Sequence, residues 1–393
     1  MLKPTNKSNS LGQYYTKHPF LQRSVLQLIR NRPECILEPS IGRGDLVNYL
    51  KKHLEGVVFD IYEIDETIQL LDGIEGVIYG NFLEKQIDKK YKTIIGNPPY
   101  VKSRKGNLYL EFIDKCFGLL EEGGELIFIV PSDFIKITGS SPLIRRMMSV
   151  GHFTDFVFPD NEHLFDNASV DVMVFRYCLG DMNRRVKVSR GMECILREES
   201  YLIETEGILT FSNNLEVERV RLSDYFEIGV GMVSGKESVF KHNQLGNIEV
   251  LNAQNRRDRY ILIEDYPSGN ESINHYLQSH KPTLLRRKIR TFHEGNWYEW
   301  GALRNQDLVN RHWGKSCLYM STVTRKDEVC FQDRVSRFGG GLIIMIPKIP
   351  LDLPVIIDYL NSDRFKKDYI YSGRFKIGHK QLSNGLIDRK LID

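Results

Sequence analysis

The sequence predicts an α/β protein with a mostly parallel sheet, followed by a second domain of different character. Short β-rich runs alternate with helical segments through the first 180 residues, which is typical of a parallel sheet with helices on both faces. Beyond residue 221 the apolar runs become short and irregular, and glycine and aromatic residues become more frequent. We therefore expect a first domain at residues 1–180, a polar connector at 181–220 and a second domain at 221–393.

The elements of the first domain follow from its apolar runs. Helices are expected at Asp45–His53 and Leu108–Glu121. Because ligands of parallel sheets bind at the carboxyl ends of the strands, the residues after each strand are of most interest. The predicted strands are Cys35–Glu38, Val57–Glu63, Gly76–Tyr79, Lys92–Gly96, Glu125–Pro131, Phe153–Phe158 and Val170–Tyr177.

Composition limits the class of protein. The chain of 393 residues is 41% hydrophobic and 27% charged, as in folded globular proteins. No apolar stretch approaches the roughly 18 residues of a membrane-spanning helix, and the polar N-terminus lacks an apolar signal core, so we expect a cytoplasmic protein. The six cysteines are scattered, which predicts reduced thiols and no metal site. The net charge is −3 over residues 1–215 and +6 over residues 216–393, which favours the second half as the site for a polyanion.

The most informative motif is Asn97-Pro98-Pro99-Tyr100, directly after the apolar run Tyr91–Gly96. The Asn97 side-chain oxygen and the Pro98 carbonyl are two acceptors that could face a planar exocyclic amine and draw its delocalised lone pair back onto nitrogen. The two prolines restrict the backbone that carries these acceptors, and Tyr100 could stack on the ring that bears the amine. An ordinary Pro-Pro turn is the alternative interpretation.

Polar residues also follow the first three predicted strands. Glu38 begins the turn E-P-S-I-G-R-G-D, whose glycines let a ligand approach the backbone closely. Glu63 ends the second strand, where a carboxylate can accept hydrogen bonds from ribose hydroxyls. Asn81 and Phe82 follow the third strand and could hold an adenine ring through an amide and an apolar face. The alternatives are a tight strand-to-helix turn and a solvated carboxylate at a strand end.

These motifs, together with G-Q-Y-Y-T at residues 12–16, resemble in order and spacing the gamma group of S-adenosylmethionine-dependent DNA amino-methyltransferases, the adenine-modifying enzymes of restriction–modification systems. The resemblance covers residues 11–178. It implies a Rossmann-like methyltransferase sheet, mostly parallel with an antiparallel last strand, and a C-terminal mixed α+β target-recognition domain. It also implies S-adenosylmethionine as the cofactor. The residues that would bind it are Gln13, Tyr14, Tyr15, Thr16, Glu38, Ser40, Gly42, Gly44, Glu63, Asn81, Phe82 and Phe112.

The same resemblance assigns catalysis to Asn97, Pro98, Pro99 and Tyr100. The run L-F-D-N at residues 164–167 resembles the family's target-base loop, so Phe165 would stack on one face of a flipped adenine and Tyr100 on the other. The base must leave the duplex because its amine cannot be reached inside the stack. For Phe112 and Phe165, a place in the hydrophobic core is the alternative.

The second domain would then recognise a specific DNA sequence. We expect double-stranded DNA as the substrate, a separate cognate restriction endonuclease as a functional partner, no membrane association and a monomer. Alternative functions are a protein glutamine methyltransferase, an RNA base amino-methyltransferase and a non-catalytic DNA-binding relative. The basic domain after the catalytic one favours DNA over protein. Its candidate DNA-binding residues are Lys281, Arg286, Arg287, Lys288, Arg290, Arg374 and Lys376.

Overall fold

A computed structural model describes residues 13–104, 106–166, 169–192, 196–205, 207–213 and 218–392. The chain forms two compact units. The N-terminal unit comprises Met1–Glu216 and Tyr371–Gly373, and the C-terminal unit comprises Val217–Ile370 and Arg374–Asp393.

The N-terminal unit contains twelve strands and four α-helices within the described residues. Its strands are β1 (Cys35–Glu38), β2 (Val58–Glu63), β3 (Val77–Tyr79), β4 (Tyr91–Gly96), β5 (Lys102–Ser103), β6 (Gly106–Asn107), β7 (Leu120–Pro131), β8 (Gly151–Phe158), β9 (Val172–Leu179), β10 (Arg185–Arg190), β11 (Leu196–Thr205) and β12 (Ile208–Ser212). Its helices are α1 (Pro19–Leu28), α2 (Asp45–Lys51), α3 (Leu108–Gly118) and α4 (Ser141–Val150), with 3₁₀ turns at Phe82–Glu84 and Phe134–Lys136.

One ten-stranded sheet organises this unit, in the order β12-β11-β10-β8-β9-β7-β4-β1-β2-β3. Neighbours from β7 through β4, β1 and β2 to β3 are parallel, whereas β9 lies antiparallel between β7 and β8. All seven predicted strands are present, and six of them end at the predicted residue. The structure therefore confirms the α/β fold with an antiparallel strand late in a mostly parallel sheet.

The range 181–220, which the sequence analysis assigns to a connector, contains strands within its described residues. Residues 185–212 supply β10, β11 and β12, which extend the sheet beyond β8. In β10, Val186 and Val188 are buried, whereas Arg185 and Lys187 are exposed. One face of this strand therefore packs on the core, and the charges that suggest a linker lie on its other face.

The centre of the sheet is apolar at almost every position, as expected for parallel strands covered on both faces. Residues 126–130 of β7 are fully buried, as are Ile94 and Ile95 of β4. Toward the amino ends of the strands, the buried carboxylate of Glu125 accepts a 2.7 Å bond from Nε of Arg176. This ion pair balances a charge inside the core, at the opposite end of the strands from the residues discussed below.

The C-terminal unit is a mixed α+β structure. The strands are β13 (Arg219–Arg221), β14 (Phe226–Val230), β15 (Ile248–Ala253), β16 (Arg256–Tyr260), β17 (Ser316–Ser321), β18 (Val323–Thr324), β19 (Cys330–Arg334), β20 (Leu342–Pro347), β21 (Ile370–Tyr371), β22 (Arg374–Lys376) and β23 (Leu386–Asp388). A four-stranded antiparallel sheet has the order β14-β20-β17-β19, and shorter pairs join β13 to β23, β15 to β16 and β18 to β22. The helices are α5 (Leu222–Tyr225), α6 (Glu237–Phe240), α7 (Glu271–Leu285), α8 (Gln306–His312), α9 (Leu353–Asn361), α10 (Asp363–Lys366) and α11 (His379–Ser383), with 3₁₀ turns at Lys367–Tyr369 and Arg389–Leu391.

Across the described ranges of both units, the helices are too short or too polar to cross a bilayer. The five cysteines that the structure describes there are free thiols. No group of three or more histidine, cysteine or acidic side chains in this part of the chain is arranged to hold a metal ion.

Candidate active site

The carboxyl ends of four adjacent parallel strands meet at one edge of the sheet, and each presents a polar side chain. Glu38 ends β1, Glu63 ends β2, Asn81 follows β3 and Asn97 follows β4. These four residues line one cavity, together with the segment 13–16 that precedes α1. The predicted site residues that this cavity brings together are Gln13, Tyr14, Tyr15, Thr16, Glu38, Ser40, Gly42, Glu63, Asn81, Phe82, Asn97, Pro99 and Phe112.

The cavity also includes residues that the sequence analysis does not single out. Asp45, Ile64 and Val101 line it, and each lies beside a predicted residue in the chain. Their proximity to the motifs is the only sequence signal that could have found them. Asp45 brings the number of lining carboxylates to three, with Glu38 and Glu63.

The lining of this cavity is acidic. It contains three carboxylates, and none of its described residues is lysine, arginine or histidine. Such a cavity repels phosphate groups and favours a cation, because the field inside a partly enclosed site is strong. The lining therefore favours S-adenosylmethionine, whose sulfonium and ammonium groups are positive, over a cofactor whose charge lies on a pyrophosphate.

Glu38 is the most constrained of the three carboxylates. Its side chain is buried, and its Oε1 accepts a 3.2 Å bond from the Ser40 backbone N–H. Its Oε2 is also buried and receives no hydrogen bond from the described residues. Burial raises the pKa of Glu38 well above its usual range, and the nearby Glu63 carboxylate raises it further. An orphaned carboxylate oxygen in this position fits the ammonium group of the cofactor.

Glu63 is held by backbone donors. Its Oε2 accepts a 2.8 Å bond from Gly42 N–H, and its Oε1 accepts 2.9 Å bonds from the N–H groups of Ile64 and Asp65. A carboxylate has about four acceptor positions, so roughly one remains for a ribose hydroxyl.

Two glycines shape the turn after β1. Gly42 has φ +57°, and a Cβ there would lie 3.2 Å from the Tyr15 ring, so a larger residue would be strained and would press on the ring that covers the turn. Gly44, predicted to line the cofactor site, lies outside the cavity lining. It is the N-cap of α2, with φ +91°, and a Cβ would come within 2.6 Å of Ile74. Its role is to start the helix.

The predicted adenine-binding residues are packed together. The Phe82 and Phe112 rings stack with centroids 5.7 Å apart, and both residues are buried while lining the cavity. Asn81 caps the following 3₁₀ turn: its Oδ1 accepts from Leu83 N–H at 3.1 Å, and its Nδ2 donates to Glu84 at 2.7 Å. The core and cavity interpretations of Phe112 therefore both hold, whereas the amide of Asn81 is already engaged in its own loop.

The side chain of Asn97 has a defined orientation. Its Nδ2 donates to the Tyr14 carbonyl at 2.6 Å and to Thr16 Oγ1 at 3.1 Å. Its Oδ1 accepts a short hydrogen bond from the Tyr100 hydroxyl, whose single hydrogen is shared with the Ile129 carbonyl at 3.1 Å. Desolvation raises the pKa of Tyr100 well above its usual range, so this hydroxyl stays protonated and remains a donor.

The two aromatic residues expected to enclose a flipped base do not form an open slot. The rings of Tyr100 and Phe165 meet edge to face, with centroids 6.2 Å apart and an interplanar angle of 73°. A sandwiched base needs two roughly parallel rings about 7 Å apart. The ring of Tyr14 instead stacks on Tyr100, at 5.1 Å and 26°, and touches Phe165 at 5.5 Å. A base can therefore enter only if Tyr14 leaves this place.

The predicted DNA-binding residues differ in their availability. Arg287 is buried, and its guanidinium donates to the carbonyls of Leu284, Ser234, Glu299 and Trp297, so it holds loops of the C-terminal unit together. Burial lowers its pKa to about 10. This contradicts a phosphate-binding role for Arg287. Among the remaining candidates, Lys281 forms an ion pair with Glu294, and Arg290 forms one with Glu299. The side chains of Arg286, Lys288 and Lys376 are exposed, and that of Arg374 is half-buried.

Comparison with known proteins gives a family match that lies within the N-terminal unit. Residues 46–165 match the family described as Eco57I restriction-modification methylase. The chain is 25% identical over 388 residues to type II methyltransferase M.HindII of Haemophilus influenzae, across 78% of this chain and 74% of that protein. It is 28% identical over 208 residues to type II methyltransferase M.TthHB8I of Thermus thermophilus, across 46% of this chain and 47% of that protein.

Among solved structures, the type IIL restriction-modification enzyme MmeI in complex with DNA has a similar fold. The TM-score is 0.61 at 10% identity, over 92% of this chain and 63% of that chain. At this identity the likeness concerns the fold. Together, the family match, the relatives and the fold support a restriction–modification methyltransferase that uses S-adenosylmethionine.

Proposed function

We propose that this protein transfers a methyl group from S-adenosylmethionine to the exocyclic amine of an adenine in a specific sequence of duplex DNA, and so protects that sequence from a cognate restriction endonuclease. The observation that carries the proposal is the orientation of Asn97 at the edge of an acidic cavity. Both amide donors of Asn97 bind protein acceptors, so the amide oxygen is the group that can face an amine, in place of the Tyr100 hydroxyl from which it accepts in this structure.

When bound, S-adenosylmethionine supplies an electrophilic methyl group on a sulfonium. Glu38 and Glu63 hold the cofactor through its ammonium and ribose groups, and Phe82 and Phe112 contact its adenine. Asn97 Oδ1 and the Pro98 carbonyl accept hydrogen bonds from the target amine, which raises electron density on the nitrogen that attacks the methyl carbon. The methyl–sulfur bond breaks with its electron pair on sulfur, and the methylated nitrogen gives one proton to solvent. Alignment of these groups is the main contribution of the protein.

The target adenine reaches this site outside the duplex. It stacks between Tyr100 and Phe165 after Tyr14 has withdrawn from the Tyr100 ring. As the amine arrives, it replaces the Tyr100 hydroxyl as donor to Asn97, and that hydroxyl turns its hydrogen fully to the Ile129 carbonyl. The exchange therefore leaves no buried hydroxyl without a partner.

The C-terminal unit reads the DNA sequence, and its exposed basic residues contact phosphates. The protein acts as a monomer in the cytoplasm, and the nuclease is a separate chain. Net positive charge in the second half of the sequence supports a polyanionic substrate over a protein side chain. The motif N-P-P-Y resembles that of adenine-modifying enzymes, which favours adenine over cytosine as the target.

The test uses purified protein, labelled S-adenosylmethionine and, separately, adenine-unmodified genomic DNA, structured RNA and a protein lysate. Label in N6-methyladenine after nuclease digestion of the DNA is the expected result. Label in methylcytosine would change the target base. Label only in RNA or only in protein would show that the substrate is not DNA, and the assignment of the catalytic residues would stand. Cofactor binding without transfer to any of the three would indicate a non-catalytic relative.

A further inference from the structure

The amide of the catalytic asparagine is oriented by a segment far away in the sequence. Asn97 Nδ2 has two hydrogens, and both are used: one by the Tyr14 carbonyl at 2.6 Å and one by Thr16 Oγ1 at 3.1 Å. The first acceptor belongs to the backbone and is present whatever side chain residue 14 carries. The second is a side-chain hydroxyl, and it depends on the identity of residue 16.

Thr16 is itself fixed in place. It is buried, with 5% of its surface exposed, and its backbone carbonyl accepts a 2.8 Å bond from the Gln22 side chain on α1. Gln22 also donates to the Asp45 carbonyl at the start of α2, at 3.2 Å. Contacts with the two helices thus fix the Thr16 backbone, which carries the hydroxyl.

We propose that Thr16 is a positioning residue for methyl transfer, and that its hydroxyl holds the Asn97 amide with its oxygen toward the target amine. The inference rests on the proposed function. An Asn amide can rotate by half a turn and exchange its oxygen with its NH₂ group at little steric cost. In the rotated state Asn97 would present donors to an amine that is itself a donor. The rotated state would set Oδ1 against the Tyr14 carbonyl, which has no hydrogen to give, and would require Thr16 to turn its hydroxyl hydrogen toward Oδ1. In the observed state both amide hydrogens are bound, one of them by Thr16.

This role differs from contact with the cofactor, which is the function that the sequence assigns to Thr16. If Thr16 serves only the cofactor, its loss weakens cofactor binding and saturation restores the rate. If it orients Asn97, its loss lowers the rate at saturation and leaves cofactor affinity nearly unchanged. A change in the cofactor Kd therefore indicates the cofactor role, and a change in kcat at saturating cofactor indicates the positioning role.

The experiment compares Thr16→Val, which has the same shape without the hydroxyl, with Thr16→Ser, which keeps the hydroxyl. Thr16→Ala is a second variant in case the valine protein does not fold, and thermal melting checks all of them. We measure kcat and KM for adenine-unmodified genomic DNA at saturating labelled cofactor, and Kd for the cofactor by calorimetry. We expect kcat to fall about tenfold in Thr16→Val and Thr16→Ala, with Kd within twofold of the parent, and to recover within threefold in Thr16→Ser.

Three results would overturn the positioning role: a kcat for Thr16→Val within twofold of the parent, a defect that disappears at saturating cofactor, or a serine variant as slow as the valine variant. An unsubstituted protein that binds the cofactor but never labels DNA would instead contradict the proposed function. The parent protein thus tests the function, and the comparison of valine with serine tests Thr16.

Discussion

Replacement of Asn97 by alanine removes the acceptor that we place against the target amine. Loss of one preorganised contact of this type costs about 2.7–4 kcal/mol of transition-state stabilisation, or roughly a 100- to 1000-fold fall in rate. The substitution also removes the two amide bonds to Tyr14 and Thr16 and frees the Tyr100 hydroxyl, which still has the Ile129 carbonyl as acceptor. At about 1 kcal/mol net for each lost bond, we expect a decrease of about 2 kcal/mol in the free energy of unfolding.

Asn31→Ala provides a matched control for that loss of stability. Asn31 Nδ2 donates to the carbonyls of Lys92 and Gly123, at 3.2 and 2.7 Å, so this variant also loses two amide-to-carbonyl bonds. These carbonyls lie near the amino ends of β4 and β7, at the opposite edge of the sheet from Asn97. We therefore expect Asn31→Ala to lower stability to a similar degree while its rate of methyl transfer stays within twofold of the parent.

The assay is a single turnover with enzyme and labelled cofactor in excess over adenine-unmodified DNA, which isolates the transfer step from product release. Urea denaturation of each variant gives its free energy of unfolding. An Asn97→Ala protein that transfers methyl within tenfold of the parent rate would refute the assignment of Asn97. Equal losses of rate in the Asn97 and Asn31 variants would attribute the effect to general destabilisation.

Three further predictions concern other residues of the two units. Glu38→Gln should weaken cofactor binding and should stabilise the protein more at pH 8 than at pH 5. A carboxyl whose pKa is raised on folding destabilises the folded state as pH rises above its ordinary pKa of about 4.3, by about 1.4 kcal/mol for every tenfold increase in its proton affinity. Urea denaturation of both proteins at the two pH values checks the sign, and a larger stabilisation at pH 5 would contradict it. Arg287→Met should lower the free energy of unfolding by roughly 3 kcal/mol, as measured by denaturation. The double variant Arg286→Ala, Lys288→Ala should leave that free energy unchanged and should reduce the salt dependence of DNA binding, as measured by affinity at several salt concentrations. An unchanged DNA affinity of the double variant would show that these two residues do not contact DNA. Tyr14→Ala should lower KM for DNA about two- to tenfold by uncovering the Tyr100 ring, and a raised KM would show that Tyr14 assists base entry instead.

The parts of the site that could be predicted from the sequence are those that depend on local order along the chain. A parallel sheet brings the ends of its strands to one edge, so locating each strand was enough to bring Glu38, Glu63, Asn81 and Asn97 together. Buried parallel strands carry continuous apolar runs, and such runs end sharply where a polar motif begins. The ends of these strands were therefore predicted more accurately than their starts, and the ends are what position the site.

Contacts between distant residues could not be predicted in this way. The partners of Asn97 are 83 and 81 residues away in the chain, and nothing in the run N-P-P-Y shows that its amide donors are already taken. The carbonyls that surround Arg287 come from the end of α7 and from two loops, at Ser234 and at residues 297–299. A basic cluster in the sequence therefore looks the same whether its members are exposed or buried. Charge counts indicate where a polyanion can bind, and burial decides which of the charges can reach it.

The segment 185–212 shows that pattern carries more structural information than composition. The strands added beyond β8 contain many polar and charged residues, so their overall composition resembles that of a linker. The alternation of β10, with valine at 186 and 188 and charged residues at 185 and 187, is nevertheless the period of a strand with one buried face. A flexible linker has no reason to keep apolar residues at every second position, because it has no face to bury. Polar segments that follow a parallel sheet therefore need to be tested for a period of two before they are assigned to a connector.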